Sequence, residues 1–185
     1  MLRELAGTLD AAVSALRFGD EEAADQVLER ARATEGQLQR LADANSEGLA
    51  VVRHSPFRRR QRPEVEAYAD LLVPLDRASR NLRVLARRAV TVVWRQQRVP
   101  VGYLEVIIRL ARTARFMAEE LGAGRLPSAA RGDLVATGEA SSHLELAHSL
   151  SAVAILAQTR SMVVDLLELT GLGPDDARDL VPDLD

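Results

Sequence analysis

Leu2, Leu5, Leu9, Val13 and Leu16 recur at spacings of three and four, the period that aligns one face of an α-helix. This predicts a first helix ending near Phe18-Gly19. Asp20 caps a second, and Glu21 and Glu22 suit its positive end. The series Ala24, Val27, Ala31, Leu38, Leu41, Ala42, Leu49 and Val52 carries that helix to about Arg53, where His54-Ser55-Pro56 breaks it. A third helix starts around Pro63 and runs through Tyr68, Leu71, Leu75, Leu82, Leu85, Ala89 and Val93 to Trp94, with a kink expected at Pro74. Pro100-Val101-Gly102 separates it from a fourth, Tyr103 to Leu121, whose inner face is Leu104, Ile107, Ile108, Ala111, Ala114 and Met117.

The pattern then weakens. Ser128 to about Thr137 reads as a fifth, poorer helix, and Gly138 to Ser142 as a loop. From Leu144 to Thr170 the chain is apolar on nearly all sides, as in a helix surrounded by neighbours. Gly171 stops it, and Pro174-Asp175-Asp176-Ala177 predicts a last short turn before an acidic tail. No strand-like alternation and no solenoid repeat is present. The expected fold is all-α: a single-domain bundle over 1–185 of about five to six helices. Its long helices are antiparallel and its apolar central helix lies near the C-terminus. A basic hairpin turn is expected near 54–62 and a candidate sub-bundle boundary near 96–102.

Composition narrows the chemistry. Every one of the 24 cationic residues is Arg, and there is no Cys. Lysine Schiff bases, P-loop lysines, thiol nucleophiles, disulfides and zinc–thiolate sites are therefore excluded. The longest uncharged run in the late apolar region, Leu146 to Thr159, is shorter than the ~20 residues a membrane span needs. The N-terminus begins directly with helical periodicity and carries no signal pattern. The expectation is a soluble chain, either complete or cut from something larger.

Charge is unevenly placed: −5 over residues 1–50, +10 over 51–115 and −8 over 116–185. Its sharpest concentration is Arg58, Arg59, Arg60 and Arg62, followed on the third helix by Arg77, Arg80, Arg83, Arg87, Arg88, Arg95 and Arg98. This run is a candidate anion-binding or membrane-facing surface, with Phe57 beside it and anionic lipid headgroups as the partner. Nucleic acid is disfavoured because stacking aromatics and a recognised binding motif are missing. The plainer reading is that these Arg pair with the acidic flanks once the bundle folds.

Asn81, Gln158, Arg160 and Asp165 are polar residues set in the most apolar helices. They form a candidate buried polar network that fixes helix register, or a set that reads a small acid in a helical cavity. Glu145 and His148 have the Glu-x-x-His spacing of di-iron bundles, and Glu139/His143 lie one turn apart, but a single copy makes no metal site. His54 sits in a turn. No catalytic constellation, phosphate loop or cofactor motif is found, so no enzyme and no cofactor is expected.

The segments Leu75–Ala89 and Ser151–Leu167, with the stop at Thr170-Gly171-Leu172, resemble the C-terminal cytoplasmic helical region of actinobacterial FUSC proteins. These are membrane proteins of the fusaric-acid-resistance and aromatic-acid-exporter type. Ala31-Arg32-Ala33-Thr34-Glu35 and Ser55-Pro56-Phe57-Arg58-Arg59-Arg60 fit the same pattern, and the likeness runs from about Leu2 to Pro182. It implies a domain at the cytoplasmic face of the inner membrane, in a protein that exports small organic acids. The implied partners are the membrane domain of the same polypeptide or neighbouring protomers, including a homo-oligomer. It supplies no ligand residues for this region. The layout is also similar to PhoU-like three-helix units, cytosolic regulators of transport systems, although their acidic metal motifs are not evident.

Overall fold

The computed structural model describes residues 1–54 and 62–184, without the side chains of 35, 39, 41, 42, 44–54 and 62–70. Among the described residues there are seven α-helices, one 3-10 turn and no strand, so the fold is all-α. They are α1 (Leu2–Phe18), α2 (Glu21–His54), α3 (Arg62–Trp94), α4 (Val101–Gly122), α5 (Arg131–Ser142), α6 (Leu150–Glu168) and α7 (Pro174–Asp179); the 3-10 turn Ser128–Ala130 precedes α5.

Local signals account for the joints. Gly19 ends α1 in the left-handed conformation, φ 66°, which costs glycine nothing because it has no Cβ. The very next residue caps the new helix: Asp20 Oδ1 accepts from the Ala23 backbone N–H at 2.9 Å. The α1–α2 turn is thereby fixed on both sides. α2 has 34 residues, roughly 51 Å, against 17 in α1. The α2–α3 hairpin therefore runs well past the helix beside it.

The arrangement is a closed ring. α1 packs on α2, α2 on α3, α3 on α6, α6 on α4 and α4 back on α1, while α1 and α3 also meet across the interior. α5 leans on α4 and α6, and α7 on α6. Leu2, Leu5, Leu9, Val13 and Leu16 are all buried in one continuous core with Leu82, Leu85, Ile107, Leu110, Met117, Ile155 and Leu166. That burial is the main favourable term holding the ring together. A smaller apolar cluster joins Tyr103, Ala152 and Leu156 where α4 and α6 begin.

Two boundaries differ from the sequence expectation. Gly138–Ser142 is the last part of α5, not a loop. Here Ser141 and Ser142 donate to the carbonyls of Gly138 and Glu139 at 2.6 and 2.8 Å. Gly138 itself is packed so closely that a Cβ would lie 3.3 Å from Val181 Cγ2. A tertiary contact thus overrides poor helix propensity. The central helix begins at Leu150 rather than Leu144. Ser149 is its N-cap, accepting from the Ala152 N–H at 3.4 Å and donating to Gln97 Oε1 at 2.6 Å. The residues before it are held from α4, since Tyr103 Oη donates to the Glu145 carbonyl and accepts from the Ala147 N–H, both at 3.0 Å. Nor is α6 enclosed all round: Leu150, Ala157 and Ser161 lie exposed along one strip. On α4, Ile108 falls at the edge of the apolar face and is exposed, while Ile107 takes the inward position.

Among the described residues, α6 is the one helix long and apolar enough to cross a membrane. In its most apolar window, 56% of it is buried inside the bundle.

Candidate functional site

α3 and α6 run antiparallel, and the contact between them is where the polar residues of the two apolar helices meet. Asn81 and Arg77 are one helical turn apart on α3; Asp165 and Glu168 are three apart on α6. Matched spacing on facing helices brings the four together. Asn81 Nδ2 donates to Asp165 Oδ2 at 2.7 Å. The Arg77 guanidinium pairs with both acids: Nη2 with Glu168 Oε2, and Nε with Asp165 Oδ1 at 3.2 Å. That second contact lacks hydrogen-bond alignment, so the buried Nε has no hydrogen-bond acceptor.

Asp165 is 5% exposed. Burial pushes its carboxyl up to about 7; the Asn81 hydrogen bond and the Arg77 charge oppose this, and Glu168 adds to it. Desolvation outweighs a neighbouring cation here because one guanidinium is shared between two carboxylates. The charge on Asp165 is consequently sensitive to pH near neutrality.

The expected four-residue network is only partly assembled. Asn81 and Asp165 are joined directly. Arg160 lies five residues before Asp165 on α6 and turns to other partners, donating from Nη1 to Ser141 Oγ at 2.5 Å and from Nη2 to the Pro182 carbonyl. Burial lowers its pKa, with Asp183 acting against that. Gln158 is half-buried and is not brought to the Asn81–Asp165 pair. Arg77 belongs to the basic run expected to pair with the acidic flanks, and it does so. Glu168 and Ser141 escape the sequence reading: the signal for Glu168 was the matched spacing of Arg77/Asn81 and Asp165/Glu168, and for Ser141, whose partner is 19 residues away, there was none.

An open cleft of about 410 Å³ lies beside this cluster. Arg77, Arg160, Ser161, Asp165, Glu168 and Arg178 supply its polar lining, and Ala157, Val164, Val181 and Leu184 its apolar part. α3, α6, α7 and the residues after α7 all contribute.

No protein-family model matches this chain, and no solved structure does. Over 179 residues the chain is 30% identical to an uncharacterized protein of Corynebacterium glutamicum, an alignment covering 93% of this chain and 46% of that protein. The chain thus spans about half the length of the relative it matches.

Of the basic candidate surface, Arg58, Arg59 and Arg60 lie outside the described residues, as does the side chain of Arg62. Among the described cations of the same region, Arg77 reaches the acids of α6 and Arg115 pairs with Asp10 of α1. Arg80 pairs locally with Asp76 at 2.7 Å. Arg87, Arg95 and Arg98 are exposed.

Glu145 and His148 precede α6, both exposed, so the Glu-x-x-His spacing does not fall on a helix face. Among the described residues, no three His, Asp or Glu side chains gather as a metal site would require. His54 closes α2, and its side chain is not among those described.

Proposed function

We propose that this bundle is the soluble domain of a FUSC-type membrane exporter of small organic acids. It works at the cytoplasmic face through packing against the membrane domain or neighbouring protomers, in a regulatory, oligomerising or gating role and without catalysis of its own. The observation that carries the reading is the placement of the two segments with the strongest resemblance. Leu75–Ala89 lies in α3 and Ser151–Leu167 in α6, and these helices pack against each other through the Asn81–Asp165 and Arg77–Glu168 contacts. The likeness therefore follows a physical unit of the fold. The relative, more than half of whose length lies outside the alignment, has room for a membrane region.

The test is fractionation of native cells, probed with an antibody to this domain. Exporter function requires a band far above 20.2 kDa in the membrane pellet, released only by detergent. A soluble band at 20.2 kDa overturns the reading and leaves a free-standing regulator as its replacement. Once the membrane form is found, deleting this domain should impair or deregulate export. Full transport without it would remove the proposed role.

A further inference from the structure

The cleft between α3, α6 and α7 combines an apolar surface with cationic side chains. One wall is apolar, built from Ala157 and Val164 of α6 and from Val181 after α7. The guanidiniums of Arg160 and Arg178 line the same cleft, as do the carboxylates of Asp165 and Glu168. Arg77 lines the cleft too, but its charge is already divided between Asp165 and Glu168. Arg160 differs from Arg77 in what holds it. Its hydrogen bonds go to neutral oxygens, the Ser141 hydroxyl and the Pro182 carbonyl, and Asp183 acts on it through space. A guanidinium has five N–H donors in a planar fork, so two neutral acceptors leave capacity for a carboxylate. Partial burial makes such a contact stronger than it would be in open water. Arg178 pairs with Asp175, a carboxylate 93% exposed, which leaves its guanidinium easily recruited. A volume of about 410 Å³ is of the size that holds a small organic molecule.

We propose that this cleft binds a small amphipathic anion, a carboxylate carried on a short apolar body, with Arg160 as its anchor and the α6–Val181 wall as its apolar contact. The assignment concerns the folded chain alone and does not rest on the exporter reading. Its test uses the purified 185-residue chain without membranes, so either idea can fail while the other survives.

Isothermal titration with hexanoate is expected to give saturable binding, and hexanamide, with the same apolar body and no charge, to bind at least about tenfold more weakly. Arg160→Gln should weaken hexanoate by about tenfold or more, the scale of a lost charge-assisted contact. Because that change also removes the bond to Pro182, Ala157→Phe provides an independent check. Ala157 is exposed on α6, so a larger side chain there fills the cleft without disturbing the core, and it should abolish binding. Three results each overturn the site: no saturable heat up to about 20 mM hexanoate, a range that covers even weak small-molecule sites; equal binding of hexanamide; or hexanoate binding that persists in both variants.

Discussion

Two helix pairs in the same ring are held in opposite ways. α1 and α4 meet through Leu, Ile, Ala and Met side chains that are almost wholly buried, and the ion pair between them, Asp10–Arg115, sits at the rim with both side chains over 40% exposed. α3 and α6 have a comparable apolar complement, yet α6 carries Asp165 and Glu168 inward, their side chains 7% and 10% exposed, against one shared Arg77 of α3. In the first pair the charges are placed where they cost little. In the second they are placed where desolvation is large. The difference shows that apolar periodicity sets which helices pack, and that polar insertions then determine how a given pair is held.

The comparison is broken most severely from its dry side. Leu9→Ala, at a position with no exposed surface, should cost about 2–5 kcal/mol in urea unfolding, through lost transfer energy and the cavity left behind. A loss under about 1 kcal/mol would mean that the α1–α4 contact is much looser than its burial indicates.

On the wet side the sign reverses. Asp165 has a folded pKa raised from 3.8 to about 7. Its contribution is therefore fully favourable below pH ~4 and is lost as pH climbs to about 7, beyond which stability is flat with respect to this group. Asp165→Asn keeps the shape and an acceptor for Asn81 while removing the charge. It should raise stability at pH 8 by about 1–3 kcal/mol, do little at pH 4, and flatten the stability profile between those values. Equal destabilisation at both pH values would show that the Arg77 pairing outweighs desolvation.

Asn81→Ala sharpens the same point. It removes the neutral donor to Asp165 and should cost about 1 kcal/mol at pH 8. In the Asp165→Asn background the loss should shrink, which a double-mutant cycle measures. The smallest effect belongs to the rim: Arg115→Ala should change stability by no more than about 0.5 kcal/mol and less still at high salt, because an exposed pair is weak and screened.

The sequence made the apolar framework legible and much of the polar detail illegible, for reasons that differ by residue. α1 and the Asp20 cap follow from short-range spacing, which is the information a linear pattern holds. Gly138 to Ser142 reads as a loop because Gly and Ser favour loops; what makes it helical is Val181, 43 positions from Gly138, lying against a residue without a Cβ. The start of α6 was obscured by Leu144, Leu146 and Ala147, which continue the apolar run although Tyr103 holds that stretch outside the helix. Asn81 and Asp165 were visible as exceptions to an apolar pattern, but Arg77 was hidden among the many Arg of a basic segment. Pairing with an acidic flank was the plainer reading for the whole run, but being one of many, Arg77 gave no sign of which acids it would meet.

The shared guanidinium has a further consequence for how the bundle finds its alignment. A helix as rich in Ala, Leu and Val as α6 offers nearly equivalent apolar teeth at every turn, so sliding it by one turn along α3 would preserve much of the hydrophobic contact. Such a slide, about 5.4 Å, would separate Asn81 from Asp165 and draw Glu168 away from Arg77, stranding carboxylates inside the bundle. The seam thus works as a key: it makes the wrong alignments expensive more than it makes the right one favourable. The Asp165→Asn chain should melt higher at pH 8 and yet be less strict about where α6 comes to rest.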